Sequence, residues 1–158
     1  MKKLLNILSE NSDFTNSQLA QMLGTTEESV AKQIKELENQ GVIKGHRAII
    51  NWESIPDAYV EAIIELKVTP KKESGFDEIA TKISQFSEVE SVFLMAGTFD
   101  LMLIVKGKTI QDISNFVAKR LSVIDGILST ATHFLLKRYK EDGVLLCNAI
   151  TQEEREGV

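Results

Sequence analysis

Apolar residues recur along the first forty positions with a helical period. Leu4, Leu5, Ile7 and Leu8 share roughly one face of a first helix. The polar run Asn11-Ser12-Asp13 interrupts it. Thr15, followed three residues later by Gln18, has the form of a capping box. It opens a second helix whose inner face is Leu19, Ala20, Met22 and Leu23. Gly24 ends that helix, and Thr25 and Thr26 each offer an N-cap for a third. The third helix carries its apolar stripe at Val30, Ile34 and Leu37 and closes at Gly41. Residues 42–50 predict a strand, a turn near Gly45 and a second strand. Three short helices and a hairpin in so small a span predict a winged helix-turn-helix over residues 1–51.

The period changes after a break at residues 52–57, which contains Pro56 and reads as a linker. Over residues 59–68 the pattern alternates. Val60, Ala62, Ile64, Leu66 and Val68 face one way; Tyr59, Glu61, Ile63, Glu65 and Lys67 face the other. Pro70 stops this strand. Phe76, Ile79, Ala80, Ile83 and Phe86 mark a helix. Strands over roughly 89–96 and 99–106 flank a tight turn at Gly97-Thr98, and Ile110, Ile113, Phe116, Val117, Leu121 and Ile124 mark another helix. Residues 127–139 read as one long final strand. The order β-α-β-β-α-β predicts a ferredoxin-like domain over 58–142, followed by a tail, 143–158. Within that tail, residues 143–147 predict an extra edge strand or a segment that covers another subunit, Cys147 predicts a buried inert thiol, and 150–158 predict a polar, loosely held end. The fold class is therefore α+β, with a winged helix-turn-helix in front of a ferredoxin-like domain.

Composition is that of a globular protein, 43% apolar and 26% charged. No apolar run approaches the roughly 20 residues that span a bilayer. The apolar start is interrupted by Asn6, Ser9, Glu10 and Asn11 too soon for a signal peptide, and the single Cys147 forms no internal disulfide. A cytoplasmic protein is expected. The net charge of −5 argues at first against a nucleic-acid partner. However, residues 1–51 hold six basic and six acidic side chains, so the acid excess lies wholly in the second part. The front is neutral, and modest affinity for duplex DNA per module is expected.

The third helix presents its outer residues to solvent, where a major groove can accept them. Gln33 has the donor–acceptor pair that reads adenine, and Ser29 or Thr26 can touch base edges or phosphate. Lys32, Lys35, Lys44 and Arg47 are phosphate candidates. The blander explanation is a packing or protein–protein module, which a neutral surface also suits. Glu27 and Glu28 repel phosphate but complement the positive end of the helix dipole.

The chain resembles the leucine-responsive/asparagine-regulator (Lrp/AsnC, feast/famine) family over nearly its whole length. The front carries Thr15, Leu19-Ala20, Leu23-Gly24, Thr26, Val30, Ile34, Leu37-Glu38 and Gly41-Val42-Ile43; the back carries Gly97-Thr98-Phe99-Asp100 and Thr130-Ala131-Thr132. The resemblance implies a transcription regulator that binds double-stranded DNA and dimerises through its back domain, often assembling to octamers. It also implies a small effector, usually an amino acid, bound between dimers in the back domain. Gly97 and Asp100 would then lie at the effector's amino and carboxylate groups, mostly through backbone, with Thr98 and Phe99 also in the binding site, and Thr130 and Thr132 would complete the pocket. Read on their own, residues 97–100 are equally a hairpin turn and the two threonines ordinary strand residues. The chain departs from the family at Thr25, usually leucine, at Gln33, usually arginine, and at His46, often aromatic. Losing an arginine removes a fixed charge and a five-donor fork, so weaker phosphate attraction or a different sequence preference is expected.

His46 and His133 stand alone, with no Cys/His cluster, so neither metal nor cofactor is expected. Trp52 predicts an anchor for the linker. Two alternatives remain open at this point. One is a decarboxylase-like enzyme of tetrapyrrole metabolism, for which the back domain offers His133, Arg120 and Arg138. The other is an oligomerisation module without DNA binding.

Overall fold

The computed structural model describes residues 1–70 and 75–147, and the chain divides into two compact units at Ala48/Ile49. In the first unit, α1 (Lys2–Glu10), α2 (Asn16–Leu23) and α3 (Glu27–Asn39) enclose a small core of Leu4, Leu19, Ala20, Val30 and Leu37. The capping box at α2 is formed in full: Gln18 N donates to Thr15 Oγ1, and Thr15 N donates to Gln18 Oε1 at 2.9 Å. Gly24 follows at φ +65°, which a side chain disfavours, and the Thr25 amide closes α2 on Ala20 O at 3.0 Å. Of the two threonines available, Thr26 caps α3.

The expected strand-turn-strand at 42–50 does not form. Residues 43–50 carry no regular secondary structure. The amides of Val42 and Ile43 both turn back to Leu37 O, at 2.9 and 3.2 Å, which closes α3 and withdraws them from any ladder. The remaining residues are too few to sustain a hairpin without a third strand.

The second unit begins with a 3-10 turn, Trp52–Ser54, and contains a four-stranded antiparallel sheet in the order β2-β3-β1-β4. Its strands are β1 (Val60–Val68), β2 (Val89–Leu94), β3 (Leu101–Gly107) and β4 (Ile127–Phe134). Helices α4 (Asp77–Ile83) and α5 (Ile110–Phe116) pack on one face, and α5 continues into a π-helical turn, Val117–Leu121. The alternation in β1 is the core pattern: Ala62, Ile64, Leu66 and Val68 are buried against Leu101, Leu103, Val105, Ile79, Ile83, Ile113 and Phe116. Pairs directly opposite share a face. Thus Ile63 and Ile104, and Met102 opposite both Glu65 and Phe93, lie on the face away from the helices.

Three expectations on length and placement are corrected. The β2–β3 connection is a loop over 95–100, not a two-residue turn, because the Met95 amide closes on Asp100 O at 2.8 Å. Strand β4 ends at Phe134, five residues before the expected end. Beyond it the Leu135 amide still reaches Glu61 O at 2.9 Å, and then Arg138 turns inward to ion-pair with Glu61. Residues 143–147 do not extend the sheet: β5 (Lys140–Glu141) and β6 (Val144–Leu145) pair only with each other, around Asp142 and Gly143 at φ +45° and +86°. Cys147 is half-buried, its thiol 3.7 Å from Tyr139 O. The polar end at 150–158 lies outside the described residues.

The break at 52–57 is structured in its first half. Trp52 packs on Tyr59 with ring centroids 5.2 Å apart, and the Asn51 side-chain Nδ2 donates to Leu146 O at 2.9 Å. Arg138 is raised above its ordinary pKa. Burial opposes the charge, and the carboxylates of Glu61 and Glu141 outweigh that.

Candidate functional sites: a helix face and a hydroxyl-lined recess

Helix α3 is 13 residues long, roughly 20 Å at 1.5 Å per residue. Its inner face is Val30 and Leu37, both buried, with Ile34 packed beside them. That leaves two polar strips. Lys32 and Lys35, three apart, are exposed on the side opposite the core. Ser29 and Gln33, four apart, are half-buried on one flank, where Gln33 Nε2 donates to Ser29 Oγ at 3.3 Å. Thr26 accepts from the Ser29 amide at 3.3 Å through its hydroxyl oxygen, so the hydroxyl proton remains available to a partner.

Thr26, Ser29 and Gln33 thus form one connected set at the start of the helix. Lys44 is exposed at the opposite end, its ammonium folded over Gly41. Arg47 is exposed in the irregular segment that follows. Helix and basic side chains together present a polar surface, and the charged residues in the first turn of the helix are Glu27 and Glu28.

The second unit carries a recess of about 260 Å³ at the end of the sheet where β1, β4 and the 95–100 loop meet. Its walls are Glu65, Lys67, Thr98, Phe99, Ser129, Thr130 and Ala131. Of the residues expected there, Thr98, Phe99 and Thr130 line it; Gly97, Asp100 and Thr132 do not. Asp100 is tied into the framework instead. Its carboxylate accepts from the Val68 amide at 2.9 Å, beside the irregularity between Lys67 and Val68, and its own amide donates to Leu66 O at 2.9 Å. Asp100 therefore holds the loop against β1. Thr132 lies opposite the fully buried Ile64, on the helix-covered side.

Four wall residues were not anticipated: Glu65, Lys67, Ser129 and Ala131. The register Glu65–Ala131 and Lys67–Ser129 brings them together. The alternation of β1 places Glu65 and Lys67 on one face, but nothing local reveals which strand lies beside them.

A helix-turn-helix with an accessible third helix, joined to an α+β unit with a small polar recess, defines a DNA-binding protein with a ligand-binding domain. Two family models match in this order: a winged helix-turn-helix DNA-binding model over residues 1–44 and the Lrp/AsnC ligand-binding domain over residues 61–145. The chain belongs to the Lrp/AsnC family of transcription regulators.

It is 43% identical over 143 residues to the HTH-type transcriptional regulator YugG of Bacillus subtilis, covering 89% of this chain and 86% of that one. It is 28% identical to the leucine-responsive regulatory protein of Haemophilus influenzae, covering 91% and 86%. Among solved structures, a transcriptional regulator of Neisseria meningitidis in complex with L-methionine matches with a TM-score of 0.68 at 25% identity, covering 88% and 89%. Escherichia coli AsnC shares the fold, with a TM-score of 0.65 at 20% identity, covering 87% and 91%. Among the described residues no helix is long and apolar enough to cross a membrane, and no group of three or more metal-ligating side chains occurs.

Proposed function

We propose that this regulator binds duplex DNA through α3, and that an amino acid held in the recess of the second unit changes its assembly and so its DNA avidity. Support for the DNA contact comes from the connected set Thr26, Ser29 and Gln33, with Lys32 and Lys35 exposed on the adjoining face of the same helix. In this reading Gln33 and Ser29 meet base edges, while Thr26, Lys32, Lys35, Lys44 and Arg47 meet phosphates.

A front unit of balanced charge binds weakly alone, so several copies must act together. Linking modules on one assembly turns later contacts into intramolecular ones, worth roughly 10²–10⁴ in avidity. The helix-free face of the sheet, with Ile63, Met102, Ile104 and the 44%-exposed Phe93, supports a homodimer through that face; a higher oligomer built from such dimers, an octamer, is the assembly this reading adopts. The observation that carries the sensing half is the recess itself, whose hydroxyls and two opposite charges, Glu65 and Lys67, suit a small zwitterion. The L-methionine bound by the Neisseria regulator supports an amino acid as the class of effector.

A ligand shifts such an equilibrium only by its differential affinity for the two states. Sedimentation mass and DNase footprint length are therefore measured on the full chain with and without each common amino acid. At least one is expected to change both. If none changes either, the sensing half of the proposal fails while DNA binding stands.

A further inference from the structure

We infer that the effector is an acidic amino acid, L-aspartate or L-glutamate, and that Lys67 is the residue that selects it. This rests on the effector reading above. The recess has an uneven charge account. Asp100, the nearest acid in the loop, faces the framework: its carboxylate accepts from the Val68 amide at 2.9 Å. Glu65 Oε1 lies 3.5 Å from His133 Nε2, which leaves its second oxygen for another partner. Lys67 is exposed, and its ammonium takes part in no ion pair or hydrogen bond among the described residues.

The walls therefore offer one carboxylate oxygen, one unpaired ammonium and the hydroxyls of Thr98 and Ser129; Thr130, also in the wall, pairs opposite the buried Leu66 on the other face of the sheet. A zwitterion with a further negative charge uses all of them. Its α-ammonium meets Glu65, its α-carboxylate accepts from the hydroxyls, and its side-chain carboxylate meets Lys67. An aliphatic side chain leaves the ammonium without a partner and finds only Phe99 and Ala131 as apolar wall. A basic side chain meets like charge. The exposed Lys67 ammonium gains a counter-charge only from an acidic side chain, and contact with one ring and one methyl returns an aliphatic side chain little in exchange.

Isothermal titration of the full chain with L-aspartate, L-glutamate, L-leucine, L-methionine and L-lysine tests the inference. The better acidic amino acid is expected to bind at least about tenfold more tightly than leucine, methionine or lysine. Lys67→Met is expected to remove that preference, Lys67→Arg to keep it, and Glu65→Gln to weaken every amino acid that binds. Thermal melts of each variant check that the substitutions leave the fold intact. If leucine or methionine binds as tightly as the acids, or if Lys67→Met keeps the preference, Lys67 is not the selector, and the amino-acid sensor survives with another specificity. If none of the five binds, this inference falls, and the sensing proposal stands or falls on the screen of every common amino acid.

Discussion

The two units solve the same problem, burying enough apolar surface, by different means. Among the described residues, the back unit lays two helices across a sheet and buries thirteen apolar residues; the front unit buries five and relies on its helix ends. Small cores are marginal, because surface grows relative to volume as size falls. With the thinner core, the front leans harder on local chemistry that both units use: it has a complete capping box at Thr15, a left-handed Gly24 and a threonine cap at Thr26, where the back has a capping box at Thr109 and a left-handed Gly126. The difference also divides the work. The unit with the thin core exposes a polar helix, and the unit with the thick core frames a recess.

The largest test of this contrast is Leu19→Ala. Leu19 is fully buried, and the loss is about 2–5 kcal/mol. In so small a core that is expected to unfold the front helices, abolishing retention of duplex while amino-acid binding by the back unit persists. Loss of both functions together would show that the units do not fold separately. Ile64→Ala, at the centre of the back core, carries the same intrinsic cost of about 2–5 kcal/mol. The larger reserve there is expected to absorb it as a lowered melting temperature with the fold retained, followed by calorimetry.

Smaller changes sharpen the picture of α3. Gln33→Ala is expected to relax discrimination at one base pair by about 1–3 kcal/mol, read from selected binding sites, without changing the melt. Thr26→Ala should cost about 1 kcal/mol of front-unit stability, and Thr26→Asp should restore it. The smallest effect belongs to Lys106 in the back unit. Burial alone lowers its pKa, but Tyr59 and Glu90 outweigh it, so the folded value lies above the ordinary one. The stabilisation is then fully present at neutral pH and lost as pH rises through the alkaline range. Lys106→Gln should flatten only that alkaline limb of a denaturation series.

Much of this architecture was legible before any coordinates. Period and caps located the three front helices to within a residue or two, because each carries its own start and stop signals. The alternation Val60, Ala62, Ile64, Leu66, Val68 named the core face of β1, since a strand with one covered face must alternate. What failed were segments governed by distant partners. Strand β4 stops where Arg138 is drawn to Glu61, a residue 77 positions away. The wing strands did not appear because the amides of Val42 and Ile43 cap α3 instead. The recess was half seen. Thr98, Phe99 and Thr130 were named through family resemblance, whereas Glu65 and Lys67 needed the β1–β4 register, and no single stretch of chain contains it. Asp100 was named for the ligand and is placed in the framework, as its turn chemistry alone would have it.

The central claim, that the exposed side of α3 lies against a DNA backbone, is tested most directly by salt titration of duplex binding. Affinity of the full chain for its own upstream duplex is expected to fall linearly with salt on logarithmic axes. In the Lys32→Ala/Lys35→Ala double variant the slope should shrink by about two for each front unit bound to the duplex. An unchanged slope in that variant, or no retention of duplex by the wild-type chain even in dilute salt, would contradict the account.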